Sequence, residues 1–242
     1  MQPDRGDERA LVTAILAASV TLVGCLLSGP ISLALVTLHP QPLWQGAETF
    51  VRAYHPLQTL PYFTGFLLIG GALALIAALQ TLAPPALRAR ATAALGFAAA
   101  FAALIVFNYV VQTTFVPALA RAYVPDSAPI IAALSLSNPR SLGWGLEMWG
   151  YAVLGVATWL IAPVLSDGTR LGRATAALFV MNGPISLAGG VWTALEPGWV
   201  MEAKGMALFV LWNLLVVAML ALAILSLRRR EGSAPGVSVR AS

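Results

Sequence analysis

Six stretches of the chain, Leu11–Leu38, Leu60–Leu82, Ala93–Pro117, Leu142–Leu165, Ala174–Leu195 and Gly205–Leu227, are each apolar over more than 20 residues. A helix rises about 1.5 Å per residue, so roughly 20 such residues cross the hydrocarbon core of a bilayer. The pattern predicts an all-α fold, a polytopic bundle of six transmembrane helices. The fifth stretch contains Asn182 and Pro184 and is the least regular of the six. Composition points the same way. Only 10% of the 242 residues are charged and 59% are hydrophobic, whereas a soluble domain carries about a quarter charged residues. Such a chain cannot cover a globule with polar surface, which excludes a water-soluble enzyme. A net charge of +4 is too thin for a nucleic-acid binder, so no nucleic-acid partner is expected. The spans leave no room for a second domain. Residues 1–10 read as an N-terminal segment, 11–227 as a single membrane domain, and 228–242 as a basic and then disordered tail rich in Ser and Gly.

Basic residues set the expected orientation. Arg5 and Arg9 precede the first span, Arg88 and Arg90 lie between spans two and three, Arg170 and Arg173 between four and five, and Arg228–Arg230 follow the sixth. With six spans, all four groups fall on one side, and positive charge marks the cytoplasmic side. Both termini are then cytoplasmic, in a cell membrane crossed many times. Trp44, Trp144, Trp192 and Trp199, with Tyr54, Tyr62 and Tyr123, cluster toward the other side as an aromatic belt. Thirteen Arg to a single Lys, with abundant Ala, fits a GC-rich bacterial source.

Near the start, Leu22-Val23-Gly24-Cys25 fits the pattern at which bacterial lipoproteins are cleaved and acylated. A signal peptide wants a basic beginning, however, and Asp4, Asp7 and Glu8 outweigh Arg5 and Arg9. The apolar run also continues to Leu38. The favoured reading is an uncleaved span holding an inert, buried cysteine. The two long loops, His39–Thr59 and Ala118–Ser141, are expected to carry short interfacial helices at Glu48–Tyr54 and Ile130–Leu136, the second capped by Ser127 and started by Pro129.

Gly29-Pro30-Ile31-Ser32-Leu33-Ala34 recurs as Gly183-Pro184-Ile185-Ser186-Leu187-Ala188. Each copy lies in a span running in the same direction, which fits a parallel repeat of spans one and two in five and six. Proline in a helix leaves the carbonyl four residues earlier without its donor, here Leu26 and Val180. Pro30 and Pro184 are therefore expected helix breaks, serving either close packing or a binding site.

Polar residues within the spans come in pairs four apart, which places each pair on one helix face. They are Ser28/Ser32, Asn108/Gln112, Glu147/Tyr151 and Asn182/Ser186, with Asn213 alone on the sixth span. Glu147 is the one carboxylate clearly inside a span, and a charge there is costly enough to mark a functional candidate. Gln112 lies at similar depth and is expected to donate to it. The candidate ligand-binding set is Glu147, Tyr151, Asn108, Gln112, Ser32, Ser186 and Asn213, converging in the half of the bundle away from the arginines. The opposing reading is that these side chains are interhelical glue, each bond worth under about 1 kcal/mol.

Several chemistries lack their residues. His39 and His55 are the only histidines and lie in the first long loop, so the spans hold no haem ligand pair and no Ser–His dyad. Their spacing matches no metal-ligand signature, and one cysteine excludes a dithiol relay. No catalytic constellation, metal site or cofactor is expected.

Ala47-Glu48-Thr49-Phe50, the apolar stretch Gly65–Leu79 and the arginine-bearing link before Leu95-Gly96-Phe97 resemble a family of bacterial six-helix integral membrane proteins grouped as a domain of unknown function. The likeness covers about the first half of the chain. It implies a six-helix fold and brings no activity and no residue roles. The residues themselves favour a small-solute or lipid-binding bundle, a transporter in the fullest form. The alternative is a non-catalytic membrane partner or sensor subunit.

Overall fold

The computed structural model of the protein describes residues 5–233. Six helices in it are long and apolar enough to cross a membrane: Gly6–Val36, Pro56–Thr81, Pro85–Arg121, Leu142–Leu165, Arg170–Leu195 and Ala203–Gly232. No strand occurs among the described residues. The fold is the all-α, six-span bundle, with the architecture of a multi-pass membrane protein. Residues 1–4 of the N-terminal segment and 234–242 of the expected disordered tail lie outside the described residues. Glu231–Ser233, assigned to that tail from sequence, instead continue the last helix.

The spans form a ring. Each packs on its chain neighbours, the sixth closes on the first, and the second touches the fourth across the middle. Phe101, Ile105, Ile161, Phe179 and Leu220 fill the interior, while Leu16, Phe63, Phe107 and Leu214 point outward. An outer surface this apolar is matched to lipid, where only backbone satisfied within the helix is tolerated. Small residues set the tightest seams, as expected where lipid gives no hydrophobic drive for association. A Cβ at Gly24 would lie 2.3 Å from the backbone nitrogen of Leu68, and one at Gly155 would lie 3.1 Å from the Gly183 carbonyl. Spans one and two, and spans four and five, therefore meet backbone to backbone.

At the arginine-bearing end, the basic residues grip the helix that their neighbours leave open. Pro163 has no N–H, so the carbonyl of Trp159 loses its donor. Arg90 supplies one, donating from Nη2 to that oxygen at 3.0 Å and from Nε to the Leu160 oxygen at 2.8 Å. Arg230, from the last helix, donates to the carbonyls of Val164 and Leu165. Cations on the final carbonyls also suit the negative end of the helix dipole. Arg230 lies 3.4 Å from Asp167 as well. The Thr169 hydroxyl and backbone N–H, with Arg230, hold the Asp167 carboxyl below the usual carboxylate range. Arg90 and Arg230 thus tie spans three and six to the end of span four.

Two π-helical turns interrupt the spans, Leu27–Ile31 and Val111–Phe115. The first contains Pro30, and the second precedes Pro117 by two residues. In each, a backbone N–H reaches back five residues, from Ser32 to Leu27 and from Val116 to Val111. The wide turn accommodates the donor that a proline lacks. Pro184 behaves differently. The fifth span is one continuous α-helix from Arg170 to Leu195, so the break expected at Pro184 does not form, and only Pro30 of the two marks an interruption.

The long loops fold against each other. The first carries a helix at Ala47–Ala53 and the second one at Ala128–Leu134. Phe50 and Ile131 bury together with Val116 and Ala120, where the third span projects past its π turn. Ser127 takes the N-cap position of the second helix but makes no side-chain capping bond to it. Its hydroxyl donates to the Val124 carbonyl at 2.7 Å, while Pro129 takes the early helical position.

Candidate functional site

Glu147 on span four faces span three. Its Oε2 accepts from Nδ2 of Asn108 and its Oε1 from the Tyr109 hydroxyl, both at 2.9 Å. Asn108 also donates to the Gly143 carbonyl, one turn from Glu147 on its own helix. The Tyr109 and Tyr151 oxygens are 3.4 Å apart. A phenol has one proton, and that of Tyr109 goes to the carboxylate, so Tyr151 donates to Tyr109. The result is a chain of donors, Tyr151 to Tyr109 to Glu147, pointing at one acid. Such chains polarise each other where the dielectric is low.

Room for this chain is made by a glycine. A Cβ at Gly65 on span two would fall 2.3 Å from the Tyr109 ring. Tyr62, one turn away, packs on that ring with centroids 5.4 Å apart, and Tyr151 meets Trp212 of span six edge-on at 5.0 Å. Tyr109 therefore lies against the acid with Tyr151 beside it, and Tyr62 and Trp212 pack behind these two rings.

Gln112 does not donate to Glu147 as expected. Its amide clamps the second long loop, donating to the Leu134 carbonyl at 2.9 Å and accepting from the Leu136 N–H at 3.1 Å. Trp144 fixes the same strand of loop by donating to the Leu136 carbonyl at 2.7 Å. Gln112 lies within the π turn, and its amide bridges the loop to Asn108, whose Oδ1 accepts from Gln112 Nε2 at 3.4 Å. Segment 134–136 is thereby tied down over the Glu147 cluster.

The remaining candidates form separate groups. Asn182 and Ser186 gather Trp212 and Thr158: the indole N–H donates to Asn182 Oδ1 at 3.1 Å and to Ser186 Oγ at 3.2 Å, and Asn182 donates to Thr158 at 3.0 Å. Asn213 faces span one, where Cys25 lies buried with its Sγ 3.6 Å from Asn213 Oδ1. Ser32 donates to the Leu27 carbonyl of its own helix. The single convergent site expected from the polar pairs is thus three groups, of which the first two are bridged by the Tyr151–Trp212 contact. Tyr109, Thr158 and Trp212 belong to the arrangement and are not among the candidates read from sequence, and Tyr62, read there as part of the aromatic belt, packs on the site. Tyr109 adjoins Asn108 in the chain and Trp212 adjoins Asn213, which is the signal that could have found them.

Two spaces flank the aromatic row. A crevice of about 20 Å³ at the long-loop end is lined by Gln41, Gln58, Tyr62, Gln112 and Ser137 among others. Gln58 organises it, donating to the carbonyls of His39 and Ala53 and accepting from Gln41 and the His55 N–H. His39 and His55 stack face to face, 3.6 Å apart. A cavity of about 30 Å³ lies deeper, walled by Thr158, Asn182, Trp212 and apolar side chains. Each space suits a water molecule or two. No group of three His, Cys, Asp or Glu that would hold a metal occurs among the described residues. Comparison with protein families, curated proteins and solved structures finds no match for the chain.

Proposed function

We propose that the protein binds a small solute within the membrane, and carries it, at a polar site in the half of the bundle nearest the long loops, with Glu147 at its centre. One observation carries the reading. A carboxylate within a span is held by two neutral donors, Asn108 and Tyr109, from the adjacent helix, in a setting where an ionisable group marks a functional site by default. The positive-inside rule assigns the arginine end to the cytoplasm of a bacterial cell, so the site is approached from outside. A reporter fused after Arg173 reads as cytoplasmic on this assignment, and an external signal there overturns it.

The experiment compares Glu147→Gln with Glu147→Leu in gently solubilised protein. Thermal unfolding monitors the fold, and mass spectrometry identifies any solute retained through purification. Glu147→Gln keeps the amide-sized hydrogen-bonding group and therefore the fold, but loses the retained solute. Normal stability and unchanged solute content in both variants defeat the reading and leave the polar groups as interhelical glue. A second reading, a partner or sensor subunit, draws on the water-sized spaces beside the site. It predicts a stoichiometric protein partner, and no retained solute, in the same preparation.

A further inference from the structure

We propose that the solute is a small organic ammonium ion, its charge held by Glu147 and its body faced by the rings of Tyr62, Tyr109, Tyr151 and Trp212. The proposal rests on the reading of Glu147 as a solute site and adds the chemical class.

Charge balance comes first. The side chains and carbonyl facing Glu147 are Asn108 and Tyr109 of span three, Tyr151 and the Gly143 carbonyl of its own helix, and behind them Tyr62 of span two and Trp212 of span six. None is basic. Of the basic groups near the ends of the bundle, Lys204 pairs with Glu196 and Glu202, Arg52 with Glu48, and Arg90 and Arg230 with carbonyls at the far end. An ionised carboxylate offers about four acceptor positions, and here two are filled, both by neutral donors. Each carboxyl oxygen thus has one neutral donor, and no basic side chain faces the acid. A cationic ligand supplies what the protein withholds.

The walls select the kind of cation. Aromatic faces attract positive charge through their quadrupole, most strongly when water is excluded. Tyr62 and Tyr109 lie 5.4 Å apart, Tyr151 and Trp212 5.0 Å, and Phe101 backs Tyr151 at 5.5 Å. A hard metal ion would find a single carboxylate among carbon surfaces, whereas an alkyl- or arylammonium ion uses both the charge and the rings. Tyr62 lines the outer crevice and Trp212 the deeper cavity; neither space reaches Glu147, so a ligand enters only if those rings turn aside. Gly65 leaves Tyr109 no slack on its span-two side, which assigns the movement to Tyr62 and Trp212, both half-buried.

The test uses the full chain in detergent or nanodiscs, with tryptophan fluorescence and calorimetry as readouts. The probes are benzylamine and choline, paired with the uncharged benzyl alcohol and dimethylbutanol, which have nearly the same shapes. The expected result is binding of the charged member of each pair about tenfold or more tighter than the neutral one. Glu147→Gln removes that preference, and Trp212→Leu weakens both charged probes. Equal binding of charged and neutral members overturns the proposal while leaving a solute site in place. Failure of all four probes to bind folded protein also overturns it, and the solute reading then rests on the retained-solute measurement alone. The wild-type comparison of charged with neutral probes decides the matter even where Glu147→Gln does not fold.

Discussion

Gly29–Ala34 and Gly183–Ala188 have the same six residues, the same direction across the bundle and the same inward face. In both copies the glycine and the serine are buried and the proline is exposed. The backbones nevertheless differ. The first copy opens into a π turn, and its Ser32 spends its proton on the Leu27 carbonyl of the same helix. The second copy stays α-helical, and Ser186 is shared with Asn182 and Trp212 of a polar group between spans. What differs is the surroundings. The residue preceding the glycine is Ser28 in one copy and Asn182 in the other, and an amide reaches neighbouring helices where a hydroxyl turns back on its own. Gly29 faces the end of one side chain, Asn213, whereas Gly183 is pressed between the Trp159 Cβ and ring and the backbone of Gly155. A short sequence repeat therefore specifies which face turns inward and leaves the backbone path to the neighbours.

Alanine at the two glycines should separate the copies most sharply. At Gly183 a Cβ would lie 2.9 Å from the Trp159 Cβ and 3.1 Å from the Gly155 carbonyl, both stiff, so spans four and five must part. Overpacking of this kind costs about 1–3 kcal/mol. At Gly29 the nearest atom is Asn213 Oδ1 at 2.6 Å, the end of a side chain that can rotate. The gain in helix propensity, up to about 1 kcal/mol, offsets the displacement, and Gly29→Ala should be near neutral. Thermal unfolding in detergent measures both. Equal losses would mean that the two close approaches are equivalent, and the distinction between the copies would fall.

The spans were legible because length and hydropathy constrain them directly, and the helix Ala47–Ala53 lies one residue from the Glu48–Tyr54 expected in the first long loop. Spacing of four also brought Asn108 together with Glu147 and Tyr151, since one helix face meets one neighbour. Two things were not readable. The π turn at Val111–Phe115 comes from backbone geometry beside Pro117, and it sends Gln112 to the loop instead of to Glu147. Tyr109 and Trp212 are not members of the polar pairs read from the spans, although their single polar atoms make the decisive contacts. The division into three polar groups follows from which spans adjoin in the ring, and no spacing within one helix carries that information. The arginines were legible as markers of a side, but their grip on the carbonyls beside and after Pro163 needed the packed structure.

A smaller effect distinguishes the two serine-bearing faces. Asn182 is 1% exposed and joins three side chains from three spans. In Asn182→Leu the volume is nearly kept, but Thr158 loses a donor and Trp212 one of its two acceptors. The indole still donates to Ser186 Oγ, and Ser186 can turn to a helix carbonyl four residues back. The loss should therefore be about 1–2 kcal/mol, between the cost of one orphaned buried group and that of several. Ser32→Ala removes a single bond to the Leu27 carbonyl, and that oxygen keeps the backbone N–H of Ser32 as a donor. Its loss should be about 0.5 kcal/mol or less. Unfolding temperatures of the two variants give the order directly, and tryptophan fluorescence should shift only in Asn182→Leu, because only that change alters the setting of Trp212. If Ser32→Ala proves the more damaging, the hydroxyl is holding the π turn open against its own strain, and the first copy becomes the more constrained of the two.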